Sequence, residues 1–455
     1  MRVISSSSYF KVRTEPLARA ASCYTGASFC DDGINSLFGA LRGRDFRLFW
    51  TGAFISNIGS WIQAIALSWL VFQVTNSAFA LGAVNFAGSV PILLFSLIGG
   101  VYVDRADRRK VLLITQVLAL LLAMALAAVA FANVANVANI LVIVLLTGIV
   151  MAVNSPAWQA FIVDIVDQGD LPTAIALNST QFNLSRVAGP SVAGLLLAAI
   201  GAAGCFFLNG VSFIAVVGAL LVIRPRRAKP RIEEGSVWRR LMVGLEYAWR
   251  HPILNSIIVL TSVMSVFGFP YAVLMPVMAQ DVLGLGADGY GALMAATGVG
   301  AIIGSLTATS WARRFPRGRL MLLTQIAFAI SVVSFSLSRT FLLAVVSLIG
   351  LGFFMIVYMT VANTAIQIIT PDVLRGRVMS IWTMVSFGFM PIGSLIAGSI
   401  AQTWNAPLAL GFGGVVCAIA ALATALLSPT FRALPAGNNA EIPPGPAGVE
   451  PAGAD

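Results

Sequence analysis

The sequence predicts an all-α integral membrane protein whose twelve transmembrane helices form two pseudo-symmetric six-helix bundles. Three observations predict it. The 455 residues are 58% hydrophobic and 10% charged, where a soluble domain keeps about 25% of its residues charged. A chain this apolar cannot cover a water-facing surface. Its apolar runs are long, and about 20 such residues cross a hydrocarbon core about 30 Å thick. They lack the short alternating strands of a membrane barrel, so helices are left to satisfy the backbone in lipid. Finally, one polar stretch divides the runs six and six.

In chain order the runs fall near residues 46–73, 79–103, 110–132, 138–163, 173–200 and 204–223, then 252–280, 288–311, 319–338, 340–369, 376–402 and 407–428. This gives a first bundle over 46–223, a cytoplasmic central loop over 224–251 and a second bundle over 252–428. Residues 1–45 read as a basic cytoplasmic arm, disordered and without an apolar stretch long enough for a signal peptide. Whether the first 40 belong to the mature protein is open. The Pro-, Gly- and Ala-rich tail, 429–455, is also expected to be disordered. With the N-terminus in the cytoplasm, all of the 28 Lys and Arg except Arg186 and Arg339 lie on the cytoplasmic side. That asymmetry sets orientation and places both termini in the cytoplasm. It also accounts for the net charge of +10, with anionic membrane lipid as its counterpart. Charge split among short loops does not suit a nucleic-acid partner.

The chemistry of soluble enzymes is missing. No GxxxxGK[ST], HExxH or GxSxG motif occurs. The four cysteines (Cys23, Cys30, Cys205, Cys417) form no CxxC pair, and His251 is the one histidine. No catalytic residue, metal site or cofactor is expected.

The halves repeat each other. Arg105, Arg108, Arg109 and Lys110 follow the second span; Arg313, Arg314, Arg317 and Arg319 follow the eighth. Gly189-Pro190-Ser-Val-Ala193-Gly194 in the fifth span has a counterpart in Pro391-Ile-Gly393-Ser394 and Ala397-Gly398 of the eleventh. Parallel six-helix repeats carry a substrate site near mid-membrane between the halves.

Gly100-Val-Tyr-Val-Asp104-Arg105-Ala-Asp107-Arg108-Arg109-Lys110 resembles the loop 2–3 signature of the major facilitator superfamily, with Asp107 where glycine is usual. Phe46-Arg-Leu-Phe-Trp50, Ser56-Asn57-Ile-Gly-Ser60-Trp61, Trp69-Leu-Val-Phe72, Thr75-Asn-Ser77 and Arg375-Gly-Arg-Val378 resemble its enterobactin-exporter and drug-efflux branch. The resemblance implies the major facilitator fold and alternating access. It implies export of a small amphipathic compound, a drug or siderophore, coupled to an ion gradient by a monomer in the plasma membrane (the inner membrane in a Gram-negative cell). Import of a nutrient, or a receptor without transport, are the other readings. It further implies that Asp104 caps the eleventh helix as a latch when the cytoplasmic side is shut, with Arg105, Asp107, Arg108, Arg109 and Lys110 assisting and Gly100 allowing close helix approach. The plainer reading, that these basic residues only fix topology, stays open. The second half lacks the acid. Gly189, Pro190, Ala193 and Gly194 resemble the helix 5 motif of exporters, with Ala193 replacing a glycine; ordinary membrane packing is the alternative.

Arg186 lies too deep to reach the interface, and an arginine at the centre of a spanning helix costs about 2.5–3.5 kcal/mol. It is expected to face the cavity, attracting an anionic or carbonyl-rich substrate, or to brace its helix. No carboxylate lies mid-membrane, which argues against a buried proton carrier. Asp45, Asp104 and Asp164 could titrate near the entrance. Candidate cavity residues are Asn57, Ser60, Gln63, Asn85, Asn154, Trp158, Asn183, Arg186, Met355, Tyr358, Met359, Asn363, Trp382 and Met384. The alternative for each is interhelical packing.

Overall fold

The computed structural model describes residues 39–167, 169–223 and 237–436. The arm before 39, the stretch 224–236 and the tail beyond 436 lie outside the described residues. Among the described residues, eleven helices are long and apolar enough to cross a membrane. The twelfth comes from Leu171–Val222, which is helical for 52 residues. A straight helix of that length would run about 78 Å, far more than one bilayer. It turns at Gly201, whose φ of 67° and ψ of 179° leave the helical region and suit only glycine. The first bundle is α1 (Arg44–Thr75), α2 (Ala78–Arg105), α3 (Arg108–Phe131), α4 (Val137–Ile165), α5 (171–200) and α6 (202–222). The second is α7 (Pro252–Val282), α8 (Ala287–Arg314), α9 (Arg317–Leu337), α10 (Phe341–Ile369), α11 (372–403) and α12 (Ala406–Leu427).

Short polar residues cut these spans from one another. Asn76 ends α1 in the left-handed region and Ser77 caps α2 by accepting from Ala80 N. Asn136 and Asn139 form a reciprocal capping box at α4. Asp107 caps α3, its carboxylate accepting from Lys110 N at 3.2 Å. Asp107→Ala is expected to cost about 0.5–2 kcal/mol, read as a lower melting temperature of the purified chain.

Two stretches differ from expectation. The central loop contains a helix, Val237–Arg250. Gly244, Tyr247 and Ala248 are buried while Met242, Leu245 and Trp249 are exposed. Its buried face packs on the start of α11, with room at Gly244 for the Arg377 side chain. The beginning of the tail is ordered too: Phe431 is fully buried and Leu434 nearly so. Gly318 admits the Phe431 carbonyl at close range. Apolar burial there outweighs the composition that reads as disorder.

The bundles meet through α5 on α8 and α2 on α11. One apolar core runs across both halves at the arginine-poor end, joining Trp69, Phe72, Leu81 and Leu197 to Tyr290 and Met294. At the arginine-rich end the cores part. Phe46, Phe49, Leu112 and Phe161 form a separate core within the first bundle alone, while the shared core continues only down the second, through Met321, Leu374 and Val378.

Candidate functional site

The seal at the arginine-poor end combines close backbone approaches with a few side-chain contacts. A Cβ on Gly194 of α5 would overlap the backbone of Gly291 in α8, and the reverse holds. Gly82 of α2 meets the Ser394 backbone of α11 in the same way, and Gly398 meets Ala78. Ser77 Oγ donates to Gln402 Oε1 at 2.8 Å. Trp69 stacks on Tyr290 with centroids 5.2 Å apart, and the Tyr290 hydroxyl donates to Ile65 O at 3.4 Å.

Behind this seal lies a cavity of about 230 Å³ between the halves. α1 contributes Trp61, Ile65 and Ser68; α2, Asn85; α5, Arg186 and Pro190; α10, Met355. α7 contributes Phe269 and Tyr271, α8 contributes Tyr290 and Met294, and α11 contributes Phe387 and Met390. Helix irregularities surround it. α7 has π-helical turns at Met264–Gly268 and Met278–Val282, and α11 has one at Met384–Gly388. Ser265 Oγ, in the first, donates to Ser386 O, in the last, at 3.0 Å. Non-helical backbone at membrane depth is tolerated where it lines a cavity or is buried in protein.

Of the residues expected at the cavity, Asn85, Arg186 and Met355 line it, together with Pro190 of the helix 5 motif. Asn183 and Ser60 are exposed, on the arginine-rich side of Arg186 and Ala64 along their helices. Most of the others meet protein. Asn154 Oδ1 accepts from Thr115 and Gln116 at 2.9 and 3.1 Å, tying α4 to α3. Gln63 Oε1 accepts from Asn209 Nδ2 at 2.7 Å, tying α1 to α6. Trp158 packs on Phe49 and donates to Asn178. Tyr358 is fully buried and shares a hydrogen bond with Thr261 of α7. Asn363 accepts from Gln367 on its own helix. Met359 and Trp382 are buried, and Met384 is exposed in its π turn without lining the cavity. Asn57 is half-buried and outside the cavity lining. The aromatic wall, Trp61, Phe269, Tyr271, Tyr290 and Phe387, escaped sequence reasoning. Pro270 beside Phe269 and Tyr271 was the available signal, since proline within a spanning helix frees backbone groups that need a wet or protein-lined neighbour.

The helix 5 motif divides by face. Gly189 admits the Trp61 side chain inside the first bundle, Ala193 is fully buried, and Gly194 faces the second bundle. The loop 2–3 signature divides likewise. Arg108 Nη1 binds Asp164 Oδ1 at 2.7 Å. Arg109 donates to Leu220 O and Leu221 O at 2.6 and 2.7 Å, closing the C-terminus of α6. Arg105 and Lys110 are exposed. Asp104 occupies the last turn of α2. One expectation is corrected: Gly100 has no neighbour closer than 4.0 Å to an added Cβ, whereas Gly99 would meet Ala152 O at 2.7 Å. At this end of the pair Gly99 is the position where α2 and α4 need glycine, as Gly148 against Gly88 is farther along.

Residues 35–446 match the family described as a transmembrane secretion effector. The staphyloferrin A transporter of Staphylococcus aureus is 27% identical over 361 residues, 79% of this chain and 90% of that protein. The multidrug efflux pump Tap of Mycolicibacterium fortuitum is 26% identical over 77% of this chain and 87% of its own. The enterobactin exporter EntS of Escherichia coli O1:K1 is 25% identical over 86% and 94%. In fold, the chain superposes on an inward-facing bacterial homologue of the lysosomal transporter Spinster with a TM-score of 0.65 at 13% identity, covering 86% of this chain and 96% of that one. A POT family transporter gives 0.67 at 11% identity, over 85% and 96%. With a two-bundle fold, a cavity between the halves and a family match across nearly its whole length, the chain belongs to the transmembrane secretion effector family of major facilitator transporters.

Proposed function

We propose that this transporter exports a small amphipathic compound across the plasma membrane by alternating access, driven by an ion gradient. The observation that carries the reading is a central cavity sealed toward the arginine-poor end while the bundle cores part at the other. The distribution of Lys and Arg assigns the arginine-rich end to the cytoplasm. In that orientation the cavity faces inward, the state in which an exporter loads. Aromatic and methionine walls suit amphipathic ligands because they repack around different shapes. The names of the relatives, a siderophore transporter, a drug pump and a siderophore exporter, support the same reading. Any coupling proton would be carried near the mouth, where Asp164 and Asp45 lie, since no acid sits deeper.

Cells expressing the chain are expected to accumulate less of at least one member of a dye, drug and siderophore panel, and dissipating the membrane gradients should erase the difference. Accumulation that rises with expression would establish import instead. Unchanged accumulation across the panel, with no flux in liposomes, would favour a receptor.

A further inference from the structure

The geometry points to a negatively charged group on the transported compound, held by Arg186 and the Tyr271 hydroxyl. This rests on the transport reading and names its substrate class: an anion with an apolar, ring-bearing body.

Arg186 lines the cavity near the middle of α5. Among the described residues, no carboxylate lies within ion-pair distance of it and no acceptor takes a hydrogen bond from it. Asp281 and Asp288, on the helices opposite, stand at their arginine-poor ends. The other polar side chains of the cavity already donate to backbone. Ser68 donates to Ala64 O, Asn85 to Leu81 O, Thr297 to Leu293 O and Tyr290 to Ile65 O. That leaves the five guanidinium N–H donors, the Tyr271 hydroxyl and the Trp61 indole N–H without an acceptor among the described residues, and Arg186 is the one charged residue in a lining otherwise built from Phe269, Phe387, methionines and small residues.

Such a site discriminates by charge. A cation meets a fixed positive charge. A neutral ligand leaves the guanidinium without a counter-charge once water is displaced, and a single buried charge without a partner is strongly unfavourable. A carboxylate or sulfonate accepts a bidentate pair from arginine and a further bond from the phenol, while its body fills the aromatic and methionine wall. The substrate thus supplies the negative charge that the protein itself omits from mid-membrane.

The test uses one apolar body in three charge states: naphthalene-2-carboxylate, naphthalene-2-carboxamide and naphthalen-2-ylmethylammonium. Binding to the full chain in phosphatidylcholine nanodiscs is measured by calorimetry. The carboxylate is expected to bind at least tenfold more tightly than the amide, and the ammonium more weakly than both. Arg186→Gln should abolish the carboxylate's advantage over the amide, and the amide should bind no more weakly than before, because no unpaired guanidinium remains to oppose it. Arg186→Lys should keep part of the preference, because a point charge replaces a fork. Equal affinities in the wild type, no carboxylate binding at all, or a preference that survives Arg186→Gln overturns the proposal. So does loss of amide binding in Arg186→Gln, which assigns the arginine to bracing its helix. Binding is read without flux. A chain that selects the carboxylate yet moves nothing in the cell assay sinks the transport reading and keeps this one, and efflux without charge selection does the reverse.

Discussion

Gly194→Leu is expected to break the seal at the arginine-poor end and shift the transporter toward the state open on that side. The contact between Gly194 and Gly291 is backbone against backbone, so even a Cβ has no room. Leucine adds three more carbons where α8 already lies. A side chain can be relieved by a rotamer change, but a facing backbone cannot, and the strain is relieved by separating α5 from α8. Overpacking of this kind costs about 1–3 kcal/mol, which corresponds to about a 5–150-fold change in the ratio of two conformations. The measurement is labelling of Ser68→Cys, inside the cavity, in a background lacking the four native cysteines, by a membrane-impermeant maleimide applied outside cells. Labelling should be slow in the parent and faster by the same factor in Gly194→Leu. Gly189→Leu is the contrasting case, because Gly189 packs on Trp61 within one bundle and its overlap strains that bundle without parting the halves. Protection of Ser68→Cys unchanged by Gly194→Leu would show that the seal lies elsewhere.

The number of spans, their division and the arginine asymmetry were legible because lipid imposes them residue by residue. A run of apolar side chains or a loop arginine carries its meaning locally. Arg186 was legible for the same reason, since a charge at that depth must have a wet or paired neighbour. The polar cavity residues were less so. Asn154, Gln63 and Tyr358 have the chemistry of ligand groups, yet each finds an acceptor or donor on an adjacent helix. Their sequence spacing holds no record of how the helices are rotated. Gly99 and Gly100 make the same point at one-residue scale, being identical in composition and separated by a rotation of about 100°, so that only Gly99 is pressed against the α4 backbone. The helix Val237–Arg250 was missed because its charged half dominates the composition of a stretch whose buried face is short.

Removing Arg108 tests whether the loop 2–3 signature acts between the bundles or inside one. Its partner Asp164 has a side chain only 11% exposed, and Arg108 itself is 18% exposed. The pair joins the start of α3 to the end of α4, both in the first bundle. Arg108→Ala leaves a largely sequestered carboxylate with no counter-charge; breaking one side of a fully buried pair costs about 3–5 kcal/mol, and this part-buried pair costs less than that. The purified chain should melt several degrees lower. Arg108→Gln with Asp164→Asn replaces the ion pair by two neutral amides able to hydrogen-bond, and it should recover much of the loss because no isolated charge remains. A latch between bundles behaves differently: its removal changes the ratio of inward to outward accessibility at Ser68→Cys and leaves the melting temperature nearly untouched. The structure places Arg108 and Arg109 wholly on first-bundle partners, so the expected result is a lower melting temperature with an unchanged accessibility ratio. Any state-dependent contact by this signature then falls to Asp104 and Arg105 at the end of α2. A large accessibility change in Arg108→Ala, without loss of stability, would reverse that division.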